Sequence, residues 1–144
     1  MRDDPHGSVV PYVFFIDRSL GSKDVRQALQ QVGVHVEIHA SHFADNTPDA
    51  VWLSHVGQQG WIVLMKDKRI RSRPHERQAL LYAGVRAFVL VAGNITGPAM
   101  GESFVNALPA MYDLLRQRDS SFIAQITRQG RISTIYPHHP RSGS

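Results

Sequence analysis

Three aspartates fall where a sheet would gather them. Asp17 and Asp67 each close an apolar run, Phe14-Phe15-Ile16-Asp17 and Leu64-Met65-Lys66-Asp67. Asp49 follows Thr47-Pro48 at the start of a helical stretch, just past the loop that leaves the second predicted strand. Asp45, in that loop, is a fourth carboxylate within reach. Carboxylates brought together repel one another, and a fold holds them together when a cation neutralises them. Oxygen-only ligands suit Mg²⁺ or Mn²⁺. A cation held this way can activate water and offset the charge growing on a phosphodiester under attack. Taken singly, each residue also suits an ordinary role: Asp17 as a solvated strand end, Asp49 as a first-turn residue favoured by the helix dipole, Asp67 as a turn residue. Their common placement makes Asp17, Asp49 and Asp67 the candidate catalytic and metal-binding residues.

That placement depends on the elements around them. Residues 12–16 form a short aromatic and β-branched run that reads as a strand. Ser22 is a candidate N-cap for a helix carrying Val25, Ala28, Leu29 and Val32 on one stripe, with Gly33 as its stop. Residues 34–38 alternate as a second strand, and 39–47 read as a polar loop. Pro48 suits a first helical turn capped by Thr47, with Val51, Trp52, His55 and Val56 on one face and Gly57 or Gly60 at the end. The continuous apolar run 61–65 predicts a strand buried on both faces. A helix over 74–82, with Leu80 and Leu81 inward and Gly84 as its stop, and a strand over 85–91 follow. Residues 100–118 predict a long amphipathic helix with Phe104, Leu108, Met111, Leu114 and Leu115 on the core side. Its exposed part is a candidate homodimer face. Residues 122–127 and 132–136 read as a hairpin around Arg128-Gln129-Gly130-Arg131.

Strands alternating with helices imply an α/β fold: a central, mostly parallel sheet with helices on both faces and a C-terminal β-hairpin. In such a sheet the carboxyl ends of the strands share one edge, and ligands bind outside it. Asp17, Asp49 and Asp67 are therefore expected at one crevice. Lys66, Lys68, Arg69, Arg71 and Arg73 make a basic run beside Asp67 that suits phosphates. With Asn94, which follows the fourth strand, the first four are the candidate RNA-binding residues. His39 and His42 end the second strand near the same crevice. Their spacing matches no zinc-hydrolase motif, and an RNA-contacting or exposed role is expected of them.

The chain has 144 residues, which suits one domain with a substantial core. Residues 1–10 read as a flexible arm, 11–136 as the domain and 137–144 as a disordered tail. With no cysteine, disulfides, thiolate zinc sites and a cysteine nucleophile are excluded. No apolar run approaches the roughly 18 residues of a membrane span, and the polar first residues lack a secretory pattern, so the expected location is the cytoplasm. The formal net charge of +4 suits nucleic acid and an acidic protein equally well.

Phe15-Ile16-Asp17-Arg18-Ser19-Leu20-Gly21, Thr47-Pro48-Asp49-Ala50-Val51-Trp52-Leu53 and Gly60-Trp61-Ile62-Val63-Leu64-Met65-Lys66-Asp67-Lys68-Arg69-Ile70 together resemble a PIN-like domain, more narrowly the branch of VapC-type toxins from bacterial toxin–antitoxin pairs. The resemblance covers roughly residues 12–92. It implies a metal-dependent ribonuclease using Mg²⁺ or Mn²⁺, acting on RNA and neutralised by a cognate antitoxin. It carries the strand-one acid onto Asp17, the helix acid onto Asp49 and the strand-three acid onto Asp67. The family's usual fourth acid has no clear counterpart, because Lys68, Arg69 and Arg71 follow Asp67; Asp45 and Glu76 are the further candidates. Two rivals stand beside this reading. A receiver-type phospho-switch also places acids at strand ends. It pairs acids at the first strand, ends strand four in Ser or Thr, and places Lys-Pro after strand five. Here Asp17 stands alone, strand four runs into Val91-Ala92-Gly93-Asn94, and no Lys-Pro occurs. The other rival is a catalytically idle PIN-like module that only binds a partner.

Overall fold

The computed structural model describes residues 12–67 and 73–137. The elements are β1 (Val13–Ile16), α1 (Asp24–Gln31), β2 (His35–Ile38), α2 (Asp49–Gln59), β3 (Ile62–Lys66), α3 (Pro74–Tyr82), β4 (Arg86–Val91), α4 (Gly97–Gln117), β5 (Phe122–Thr127) and β6 (Ile132–Tyr136). One six-stranded sheet runs in the order β2-β1-β3-β4-β5-β6. β1 to β5 pair in parallel and β6 pairs antiparallel to β5. The mostly parallel sheet and the C-terminal hairpin are thus as expected.

Successive strand residues point to opposite faces, and the core divides accordingly. Phe14 and Ile16 of β1 face α1 and α4, in a layer with Leu29, Leu64, Phe88, Phe104 and Met111. Phe15 faces the other way, onto Trp52, Leu53 and Val56 of α2 and Leu80 of α3. Along the sheet, the chain steps from β1 to the β2 edge through α1 and then toward the opposite edge through α2, α3 and α4. Because α4 shares a face with α1, its crossover has the hand opposite to the other three, an uncommon arrangement for parallel strands. The length of α4 suits this position, where one helix must cover Phe88, Leu90, Phe122, Ala124 and Ile126 alone beyond α1.

Several local expectations are corrected. Lys23, not Ser22, holds the N-cap position of α1, and no side chain caps it. Pro48 itself occupies the N-cap position of α2, so Thr47 does not cap the helix. α4 begins three residues earlier than expected, at Gly97, because Thr96 caps it by accepting the Ala99 N–H at 3.2 Å. On α2 the buried residues are Trp52, Leu53 and Val56, while Val51 and His55 are exposed. Trp52 and Val56 are common to both faces, and the phase that stacks Trp52 on Phe15 turns Leu53 inward in place of Val51 and His55. Gly60 ends α2 in the left-handed conformation, at φ +74; Gly57 lies inside the helix, where a Cβ would fall 2.1 Å from the Ala83 carbonyl oxygen. The arm over 1–10, the tail beyond 137, and Lys68, Arg69 and Arg71 lie outside the described residues. Among the described residues no helix is long and apolar enough to cross a membrane.

Candidate active site

The winding direction changes at β1, so the crevice of a doubly wound sheet opens where the ends of β1 and β3 stand side by side. The Asp17 N–H donates to the Leu64 carbonyl at 2.9 Å. The Asp17 carboxylate then accepts the Ser19 N–H at 3.0 Å and caps a short 3₁₀ turn, Arg18–Leu20. Leu20, only 2% exposed, pins that turn to the core. Ser19 completes the stitch, its Oγ accepting the Lys66 N–H at 3.0 Å. Asp17 is thereby bonded once to β3 and once to its own turn, and Ser19 ties that turn to β3 a second time.

A cleft of about 500 Å³ opens over this turn. Asp17, Asp49 and Glu76 line it, and so do Arg18, Ser19, Trp52, Lys66 and Arg73. Asp49 and Glu76 lie in the first turns of α2 and α3, where the helix dipole favours a carboxylate. Asp49 accepts the Trp52 Nε1–H at 3.0 Å, and Glu76 pairs with Arg73 at 2.9 Å. Arg18 donates to the Asp45 backbone carbonyl, tying the β2–α2 loop to the rim.

The expected residues divide as follows. Asp17, Asp49 and Glu76 share the cleft, with Lys66 beside them. Asp67 follows β3 on the same sheet edge, its N–H bonded to the Leu90 carbonyl at 2.8 Å, but it is not among the lining residues. Asp45 is exposed and reaches the rim through its carbonyl. Asn94 is exposed in the β4–α4 loop, where its carbonyl accepts from Arg128 at 2.6 Å.

Among the described residues, no group of three or more acidic, histidine or cysteine side chains stands close enough to hold a metal ion. Mg²⁺ needs fewer, since it keeps several waters and is commonly held by one or two carboxylates plus substrate phosphates. Asp17 and Asp49 supply two carboxylates in one cleft. The contacts to Ser19 and Trp52 each use one oxygen of a group that has two. The oxygen-only donor set therefore fits a hard divalent cation.

His39 corrects the expectation of an exposed or RNA-contacting side chain. It is 1% exposed, within a 3₁₀ turn His39–Ser41, among the rings of Phe15, Phe43 and Trp52. Neither ring nitrogen meets a hydrogen-bond partner among the described residues. Burial lowers its pKa from the ordinary 6.5, helped by the Arg18 charge and opposed by Asp17, Asp45 and Asp49. The folded chain thus takes up this proton less readily than the unfolded one. Its stabilising effect is complete above the ordinary imidazole range and is lost as pH falls below it. The urea midpoint of the wild type is expected to drop between about pH 6.5 and pH 5, and His39→Phe to flatten that drop; parallel curves for the two proteins would refute the assignment. Glu37 acts at lower pH. Hydrogen bonds from His42 and then His35 lower its pKa from 4.5, so its contribution disappears only below that range.

Sequence reasoning missed Arg18, Ser19 and Trp52 as parts of the site. The signals were present: Ser19 two residues after an Asp that turns the chain, and Trp52 one helical turn after Asp49.

No solved structure matches the chain significantly. A curated protein of Mycobacterium tuberculosis (strain ATCC 25618 / H37Rv) named "Putative ribonuclease VapC45" is 30% identical over 101 residues, which cover 67% of this chain and 73% of that protein. The family described as "PIN like domain" matches residues 12–92, the stretch that runs from β1 through β4 and carries Asp17, Asp49, Asp67 and Glu76. The chain belongs to the PIN-like domain family.

Proposed function

We propose that this protein is a metal-dependent endoribonuclease, the toxin of a toxin–antitoxin pair. The observation that carries the reading is one cleft in which Asp17 and Asp49, from separate elements, are flanked by Arg18, Lys66 and Arg73. The similarity to a protein named as a ribonuclease supports the same chemistry. Asp17 and Asp49 would hold Mg²⁺ or Mn²⁺, with Asp67 and Glu76 as the further acids of the edge. When bound, such a cation supplies a Lewis acid beside the scissile phosphate. Arg18, Lys66 and Arg73 bind the phosphates on either side and orient the strand, with Lys68, Arg69 and Arg71 continuing the basic run in sequence. Fold alone does not select this function, because a receiver domain shares the strand order 2-1-3-4-5. The residues after β4 and β5, Asn94 and Arg128-Gln129, lack the hydroxyl and the Lys-Pro of that phospho-switch.

The toxin reading brings a cognate antitoxin with it, and the charges describe how that partner would dock. An antitoxin would place an Arg or Lys between Asp17 and Asp49 and set acidic residues against the basic run, a complementarity that speeds association and sets specificity. Purified protein is expected to cleave structured RNA with Mg²⁺ or Mn²⁺ and to stop in EDTA. Expression alone should arrest growth, with rescue by the product of the neighbouring gene. Undiminished cleavage in EDTA would overturn the metal mechanism. Harmless expression with no bound neighbour product would overturn the toxin role and leave a partner-binding module.

A further inference from the structure

We infer that Trp52 is a positioning residue that holds the Asp49 carboxylate in the cleft through its indole N–H. The inference rests on the proposed reading of the cleft as a divalent-cation site. Asp49 is the first residue of α2 and is exposed, so an unrestrained side chain would sample several rotamers and any ligand would have to select one of them. Trp52 lies one turn further along the helix, and its Nε1–H donates to Asp49 Oδ1 at 3.0 Å. A donor to an ionised carboxylate makes one of the stronger hydrogen bonds available to a protein. The indole has a single donor and no acceptor, so its direction fixes which carboxylate oxygen is occupied and which is left.

The ring is held by its packing. Trp52 is 2% exposed. It stacks on Phe15 at 5.5 Å with 29° between planes, and the His39 ring meets it edge-on at 5.6 Å and 83°. Phe15 is fully buried and lies two residues before Asp17. The same aromatic contact that seats α2 on β1 therefore sets the separation between Asp49 and Asp17. Groups of this kind, which orient a ligating carboxylate without touching the cation, commonly govern affinity at metal sites. The competing account is that Asp49 merely satisfies a buried indole, in which case Trp52 affects stability and nothing else.

Mn²⁺ binding, read by electron paramagnetic resonance on the full chain, separates the two. Trp52→Phe keeps an aromatic ring and removes the donor, and it is expected to weaken Mn²⁺ binding by roughly 10- to 100-fold. Asp49→Asn also weakens it, and the double variant should be no weaker than Asp49→Asn alone, because the two residues act as one unit. Unchanged affinity in Trp52→Phe, or losses that add in the double variant, would overturn the inference. Should Trp52→Phe not fold, the wild-type protein still decides the matter. On Mg²⁺ titration the indole N–H resonance of Trp52 should shift saturably while that of Trp61, assigned with Trp61→Phe, stays put. A stationary Trp52 resonance in a protein that binds Mn²⁺ overturns the positioning role. A wild type that binds no Mn²⁺ overturns the cation site itself, and the inference with it.

Discussion

Asp17→Asn is expected to lower RNA cleavage by roughly 10²–10³-fold, the usual cost of removing one group that stabilises charge in a transition state, while leaving the unfolding transition close to that of the wild type. Two roles meet on this side chain, and the substitution separates them. As a turn cap, the carboxylate accepts the Ser19 N–H at 3.0 Å; asparagine caps as well as aspartate does, so the turn Arg18–Leu20 and its buried Leu20 should survive. As a ligand for a divalent cation, the side chain loses its charge, and the amide cannot replace it. Initial rates of cleavage at saturating Mn²⁺, with thermal melts in parallel, provide the check. Full activity in a folded variant would remove Asp17 from the mechanism. A collapsed melting temperature would mean that its main role is to hold the turn.

The second large effect concerns stability and reverses a sequence-level expectation. Gly57 sits inside α2, where alanine is favoured over glycine by about 1 kcal/mol on helix propensity alone. The tertiary structure opposes the exchange. A Cβ at this position would lie 2.1 Å from the Ala83 carbonyl oxygen and 3.2 Å from its carbon, both backbone atoms at the end of α3. Backbone cannot rotate away as a side-chain tip can, so α2 and the end of α3 must separate, at the upper end of the usual 1–3 kcal/mol cost of overpacking or beyond it. Gly57→Ala is expected to lower the melting temperature by roughly 5–10 °C, at about 2–4 °C per kcal/mol for a domain of this size. Differential scanning calorimetry measures this directly; an unchanged or raised midpoint would show that the contact yields easily.

The apolar patterning was enough to specify the alternation of strands and helices, and with it the carboxyl edge on which Asp17, Asp49 and Asp67 fall. Period-two and helical spacing are local properties that a chain carries wherever it is placed. The core side of α4, from Phe104 to Leu115, was legible for the same reason. Helix starts were less so. Thr47 and Ser22 have the chemistry of caps, yet neither is used, because a cap also requires its own backbone to be extended at the right point. His39 was misread because a lone polar residue after a strand gives no sign of the rings that will enclose it. Phe15, Phe43 and Trp52 come from three separate segments.

The sequence by itself determined which carboxylates reach the sheet edge, since each follows a strand or opens a helix in a parallel α/β fold. Only the tertiary structure decided which of them share a cleft: Asp17 and Asp49 with Glu76, beside Arg18, Lys66 and Arg73, and without Asp67 among the lining residues. The tertiary structure alone also tied Trp52 to Asp49 and set Gly57 against Ala83. The reason lies in how each level is specified. A strand's end is fixed by neighbours along the chain. The distance between two strand ends, and the phase of the helix above them, is fixed by which buried rings interlock, and that packing has no counterpart in the order of residues.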